Sequence, residues 1–313
     1  MTSQFPAETS ASGAFVRQPY TFRGRFSRDG STPFPAEAGR YRLYVSLACP
    51  WAHRAVIVRE LLGLQDAISL AVVDPVRDER GWALRPGDGH GPDTVGGFQF
   101  LSEAYLRSDP NYQGRYTVPC IWDTQTGQLV TNNYPDITLD FETEFTAFQR
   151  PGAPDLYPEA LRPEIDALNA VIYEEVNNGV YRAGFAANQA RYDEAVTTLF
   201  ARLDALEQHL ATRRYLVGGQ LTEADIRLFT TLVRFDAVYV GHFKCNLRRL
   251  VDYPNLWGYA RDLYQRPAFR ETVNFDHIKR HYYLTHPKLD PTGIVPLGPL
   301  TDWDAPHQRE RLA

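Results

Sequence analysis

The stretch YRLYVSLACPWAHRAVIVRELLG, residues 41–63, decides how this chain is read. Its first seven residues, Tyr41 to Leu47, are aromatic and β-branched enough to predict a strand. Cys49 follows almost at once. Pro50 suits the first turn of a helix, where its missing N–H is not needed, and the helix is expected to run to a stop near Gly63. A cysteine is thereby set at a strand-to-helix turn, where the positive end of the helix stabilises a thiolate. His53 and Arg54, in the next turn, are candidates to add positive charge. Cys49-Pro50-Trp51 opens like a dithiol redox motif, but Ala52 stands where the second cysteine would be. A monothiol centre has no neighbour to resolve it and waits for an external thiol. The competing reading of Cys49 is a packed structural cysteine, although Pro50 and Trp51 suit the mouth of a site better than a core.

Working outward, Ile68 to Asp74 (ISLAVVD) is a continuous apolar run of the kind buried in a parallel sheet. Strand, helix, strand predicts a right-handed crossover. Residues 75–98 form a long glycine-rich insertion, followed by a short helix around Ser102–Arg107. Tyr116–Asp123 and Gln128–Asn132 read as a hairpin. Pro119 inside its first strand implies an edge, a bulge or a cis peptide. A helix from Pro135 to about Phe145 closes the unit. After a Pro/Gly linker, Phe148 to Pro158, helical periodicity runs through 161–182, 192–212, 222–240, 255–265 and 270–284. Thr222-Glu223-Ala224-Asp225 is a capping signature. The expected organisation is an extended arm (1–40), an α/β domain (41–147), an all-α domain (158–285) and an irregular tail (286–313).

Composition bounds the function. The chain has 313 residues, 43% hydrophobic and 23% charged, enough for two globular domains. The formal net charge of −5 speaks against a nucleic-acid partner. No apolar run approaches the roughly 20 residues of a membrane helix, and the opening MTSQFPAETSASGAF does not read as a secretory leader. Three cysteines, Cys49, Cys120 and Cys245, without framework spacing point to free thiols in a reducing, cytoplasmic setting. Arginine outnumbers lysine 30 to 3, the usage of a GC-rich genome. His277 and His281 lie four apart on a helix, but no third ligand has convincing spacing, so no metal is expected. Cys120 and Cys245 are read as packed thiols.

The order of elements matches a thioredoxin-like fold with a helical domain appended, as in glutathione transferases. Several stretches extend the likeness: RYRLYVSLACPWAHR (40–54), VNNGVYRAGFA (176–186), LTEADIRLFTTLVRFDAVYV (221–240), HFKC (242–245), TVNFDHIKRHYY (272–283) and DPTGIVPLGP (290–299). With these the chain resembles the Xi class of glutathione transferases, the glutathionyl-hydroquinone reductases. The resemblance implies a cytoplasmic homodimer with no tightly bound cofactor, in which a low-molecular-weight thiol is released from quinone or hydroquinone conjugates. It places Cys49 as the nucleophile and Tyr181 and Tyr282 in the hydroquinone pocket. Trp82 would pack on the bound thiol, Arg115 would reach its glycine end, and Val118, before Pro119, would meet its cysteinyl part. The resemblance also implies a Ser-Asn-Glu-Ser type sequence whose Glu and Ser hold the γ-glutamyl group. Here the aligned residues are Thr131-Asn132-Asn133-Tyr134-Pro135. Asn133 cannot neutralise an ammonium, and a lost charged hydrogen bond costs about 1.5–3 kcal/mol. The thiol is therefore left open between glutathione and a sugar-based thiol such as mycothiol, whose hydroxyls Asn133 and Tyr134 would suit. Two rival readings stand beside this one: an omega-like thioltransferase or dehydroascorbate reductase, and a non-catalytic scaffold.

Overall fold

A computed structural model describes residues 6–312 and divides the chain into two units. The first comprises Pro19–Asp155 with Thr272–His281; the second comprises the residues up to Gln18, Leu156–Glu271, and Tyr282 onward. Together they are an α/β thioredoxin-like domain and an all-α domain.

In the first unit, β1 (Phe26–Ser27) and β2 (Phe34–Pro35) form a short parallel pair within the arm. β3 (Tyr41–Val45), α1 (Pro50–Leu62) and β4 (Ile68–Val72) then build the predicted strand, helix, strand. After α2 (Leu101–Ser108), the hairpin β5 (Cys120–Asp123) and β6 (Gln128–Thr131) completes a sheet of order β4-β3-β5-β6. β3 runs parallel to β4 and antiparallel to β5. Its position inside the sheet explains why all five of its residues are buried. α3 (Tyr134–Thr143) follows.

Every residue of α1 from Pro50 to Arg59 is buried, so its polar side chains need partners inside the protein. Arg59 donates from Nε to the Ile68 carbonyl at 2.7 Å, and His53 Nε2 lies 2.9 Å from Thr272 Oγ1. Gly63 ends the helix with φ 71°, where its N–H bonds the Arg59 and Glu60 carbonyls. A side chain there would be strained and would collide with Arg150, so the expected stop is enforced twice. The 75–98 insertion is tied down through Asp93, which accepts from Tyr44 Oη at 2.8 Å and pairs with Arg42 Nε at 3.0 Å.

β5 begins four residues later than the sequence predicts. The Val118–Pro119 peptide is cis, and Pro119 has no N–H for a ladder, so Tyr116–Pro119 stays outside the strand.

The second unit contains α4 (Arg162–Ile172), α5 (Gly179–Gly184), α6 (Gln189–His209), α7 (Glu223–Arg234), α8 (Pro254–Tyr264) and α9 (Pro267–Arg270). α10 (Phe275–Thr285) contributes its first seven residues to the sheet unit and its last four to this one. Two of the long predicted helices are interrupted by π-turns, Tyr173–Asn177 before α5 and Phe235–Tyr239 after α7. The helix predicted over 270–284 is split, because Asn274 Oδ1 accepts from the His277 N–H and so starts α10 afresh.

The capping signature becomes a buried hub. Asp225 accepts from the Thr222 N–H at 2.8 Å, the Leu216 N–H at 2.9 Å and Tyr259 Oη at 2.8 Å. Asp225→Ala leaves these donors without an acceptor in a fully buried place. A loss of about 3 kcal/mol is expected, read as a lower urea midpoint at unchanged slope. A midpoint equal to the unmodified protein's would show that the hub contributes nothing.

Candidate active site

Cys49 is the residue before the first turn of α1, with extended backbone at φ −78° and ψ 118°. Its carbonyl accepts from the His53 N–H at 3.0 Å, which starts the helix, and its N–H bonds the Ser46 carbonyl at 3.0 Å. Both ends of the turn are therefore held by backbone. Its Sγ lies 3.4 Å from the Val118 carbonyl, to which the thiol donates. Among the three cysteines, Cys49 is half-buried while Cys120 and Cys245 are fully buried. Burial pushes both of those thiols far above their ordinary value, so neither supplies thiolate near neutral pH.

The surroundings of Cys49 differ from the expectation of an open mouth. Trp51 is buried, with its ring 4.8 Å from that of Tyr134, and the Arg54 guanidinium lies 4.8 Å from the Trp51 ring and 5.2 Å from Tyr134. Tyr20 meets Tyr134 edge-on at 5.4 Å. The motif's tryptophan is thus part of a packed aromatic–guanidinium cluster, because the rings and the cation gain by desolvated contact.

Asn133 and Tyr134, read together as one polar pair, have different surroundings. Tyr134 is 3% exposed and packs on Trp51. Asn133 is half-buried and donates its Nδ2 to Asp136 Oδ2 at 2.6 Å. A carboxylate therefore stands one hydrogen bond away from the position where the resemblance calls for one. Arg115 is half-buried, and its carbonyl accepts from Tyr112 Oη at 2.8 Å. Trp82 is buried in the insertion, stacked on the His281 ring at 5.1 Å, with Arg77 at 5.6 Å. His281 Nδ1 donates to the Pro75 carbonyl at 2.8 Å and His277 Nε2 to the Asp88 carbonyl at 2.7 Å. The two histidines therefore fasten the insertion that carries Trp82. Among the described residues no group of three or more His, Cys, Asp or Glu side chains is placed to hold a metal ion.

The helical unit holds a second polar cluster in an apolar setting. Tyr181 and Tyr282 share a hydrogen bond of 2.5 Å between their hydroxyls, and Tyr239 Oη lies 3.0 Å from Tyr282 Oη. Burial keeps the Tyr239 and Tyr282 hydroxyls protonated, with values well above that of an ordinary phenol. These two hydroxyls can donate hydrogen bonds but will not become phenolate near neutral pH. The two π-turns end close to it in sequence: one precedes Tyr181 and the other finishes on Tyr239. Such bulges often mark functional sites, because an extra residue re-aims the side chains that follow. His242 Nε2 and His286 Nδ1 lie 3.0 Å apart behind Phe243, and burial lowers His242 to about 4, so it is neutral at physiological pH.

Tyr239 and Arg17 escaped the reading of the sequence. Tyr239 lies in an apolar helical run where it reads as core, and Arg17 lies in the irregular arm. The π-turn that aims Tyr239 has no periodicity signal.

Two family models match the chain: the glutathione S-transferase N-terminal domain over residues 48–144 and the C-terminal domain over 189–262. The glutathionyl-hydroquinone reductase YqjG of Escherichia coli is 51% identical over 308 residues, covering 96% of this chain and 94% of that one. The Xi-class transferase of Natrialba magadii superposes with a TM-score of 0.92 at 48% identity, covering 96% of each chain. The glutathione-bound structure of YqjG superposes at 0.89, covering 93% of this chain and 96% of that one.

Proposed function

Since the chain belongs to the Xi-class glutathione transferases, the glutathionyl-hydroquinone reductase family of oxidoreductases, we propose that it releases a low-molecular-weight thiol from S-conjugated hydroquinones through a mixed disulfide at Cys49. The observation that carries this reading is the half-buried Cys49 at the start of α1, in contrast to the chain's other two cysteines, which burial keeps protonated.

The Cys49 thiolate attacks the thioether sulfur of the conjugate. An S–S bond forms, the carbon–sulfur bond breaks, and its electron pair passes to the ring. The ring takes up a proton and leaves as the free hydroquinone. The ring is reduced and the two sulfurs are oxidised to a mixed disulfide. A second thiolate attacks that disulfide, forms a small-molecule disulfide and returns Cys49. Ala52 leaves no adjacent cysteine to intercept the intermediate. Tyr181 and Tyr282 are proposed to supply the proton or hydrogen bond that the departing hydroquinone needs. Trp82, Arg115 and Val118 are proposed to hold the thiol. The enzyme is proposed to work in the cytoplasm as a two-fold homodimer.

The test incubates the protein with an S-conjugated hydroquinone and excess thiol, follows the free hydroquinone, and weighs the protein by mass spectrometry after a turnover without added thiol. Equimolar hydroquinone and a thiol adduct on Cys49 are expected. Activity with dehydroascorbate but none with the conjugate would place the chain with omega-like thioltransferases instead.

Which thiol is used turns on Asn133. A neutral amide in the carboxylate's place weakens a γ-glutamyl ammonium, and this supports mycothiol over glutathione as the reductant of the mixed disulfide. Tyr134 carries less of this reading, because its ring is committed to Trp51. Replacing it by serine would empty a packed space at a cost of about 3–5 kcal/mol, so Asn133→Glu alone is the clean variant. It is expected to raise the glutathione-to-mycothiol rate ratio by about tenfold. Saturable, efficient turnover with glutathione in the unmodified enzyme, with no change in Asn133→Glu, would sink the preference and show that Asp136 already supplies the charge.

A further inference from the structure

Arg17 belongs to the arm, the part of the chain whose sequence carries the least pattern, yet its guanidinium is aimed at the phenol cluster. Its Cζ lies 4.6 Å from the centre of the Tyr181 ring and 5.3 Å from that of Phe15. Its Nε donates to Asn178 Oδ1 at 2.8 Å, which fixes the direction of the fork. Asn178 in turn sits between the π-turn Tyr173–Asn177 and α5, the helix that bears Tyr181. Phe15, which shares the cation, packs at 5.2 Å on Phe185, the residue that follows α5 and lies four positions beyond Tyr181. The arm is thus keyed to α5 on both sides of Tyr181.

A cation over the face of an aromatic ring draws density out of the ring, and the effect grows as water is excluded. For a phenol the consequence is a stronger O–H donor. Tyr181 is 9% exposed, and its hydroxyl already shares a short hydrogen bond with Tyr282, which Tyr239 extends by one more link. A chain of hydroxyls polarises in one direction, each donor strengthening the next. With a cation on the Tyr181 ring and two phenols behind its oxygen, the cluster is biased to donate outward from Tyr181.

We propose that Arg17 is a positioning residue for proton donation by Tyr181: it orients the phenol through Asn178 and raises its donor strength through the ring face. The proposal rests on the reading above in which Tyr181 donates to the departing hydroquinone. Arg17 touches no reacting atom, so its signature is a change in how the rate responds to the leaving group.

The experiment uses the full chain and a series of conjugates whose hydroquinones differ in basicity, with alkylation of Cys49 by iodoacetamide as the structural control. Arg17→Gln keeps a donor for Asn178 but removes the charge; Arg17→Lys keeps the charge. Arg17→Gln is expected to slow conjugate reduction by about tenfold, most for the most basic leaving groups, with alkylation unchanged. Arg17→Lys is expected to recover much of the loss. In a Tyr181→Phe background Arg17→Gln is expected to add nothing, since the cation then has no donor to strengthen. An equal loss for every leaving group, or a loss that persists in Tyr181→Phe, would overturn the proposal and leave Arg17 as a clamp for the arm. If Tyr181→Phe alone changed neither rate nor slope, the donor reading of Tyr181 would fall, and the role of Arg17 with it.

Discussion

Cys49→Ala is expected to lower the turnover of an S-conjugated hydroquinone on the order of 10³-fold or more, because no other group in the chain can take the sulfur's part. The reaction needs a nucleophile that attacks sulfur and leaves again from a disulfide, and only a thiolate does both at neutral pH. Cys120 and Cys245 are no substitutes, since burial keeps both thiols protonated and fully covered. Cys120→Ala and Cys245→Ala are therefore expected to retain most of the activity. Cys49→Ser keeps the shape of the turn but gives an alcohol that forms no disulfide, so it should fall with Cys49→Ala. Cys49→Ala is also expected to leave the fold intact, because the turn is held by the Ser46 and Cys49 backbone carbonyls and not by the sulfur. Steady-state release of hydroquinone by the four variants decides this. Near-normal rates in Cys49→Ser would end the mixed-disulfide mechanism.

Tyr282→Phe carries the next largest effect. Its hydroxyl is the middle member of the cluster, joined to Tyr181 at 2.5 Å and to Tyr239 at 3.0 Å. Removing it breaks both links and leaves two buried phenols to find other partners, at a cost of about 1–3 kcal/mol in stability. It also removes the support behind the outward donor. Conjugate reduction is expected to fall by about 10²-fold, the lower range of what a positioned proton donor contributes. Tyr181→Phe should lose a similar factor in rate with less loss of stability, since only one link is broken. Alkylation of Cys49 should proceed normally in both, because the cluster donates to the leaving hydroquinone and not to the nucleophile. Parallel losses in reduction and alkylation would mean that the tyrosines support the fold and take no part in the chemistry.

The sequence by itself determined the features that depend on near neighbours. A five-residue run of aromatic and aliphatic residues broken only by Arg42, a proline one residue past a cysteine and a glycine thirteen further on define β3, α1 and its stop, because strand propensity, helix initiation and left-handed termination are local. Cys49 is legible for the same reason: its chemistry comes from the turn it occupies. The capping signature at Thr222 and Asp225 was equally plain, though not that Tyr259 and Leu216 would share the carboxylate. Tertiary structure decided the rest. Trp51 turned out to be packed because Arg54 and Tyr134 close on its ring. The histidine pair on α10, legible only as a weak metal motif, holds the insertion instead. Arg17 reached Asn178 across 161 residues, and Tyr239 reached Tyr282 across 43. Such contacts leave no periodic trace, since a single hydroxyl or guanidinium finds its partner only after apolar burial has brought distant helices together. Local pattern sets which elements form; the loss of water around their polar groups sets which of those groups must meet.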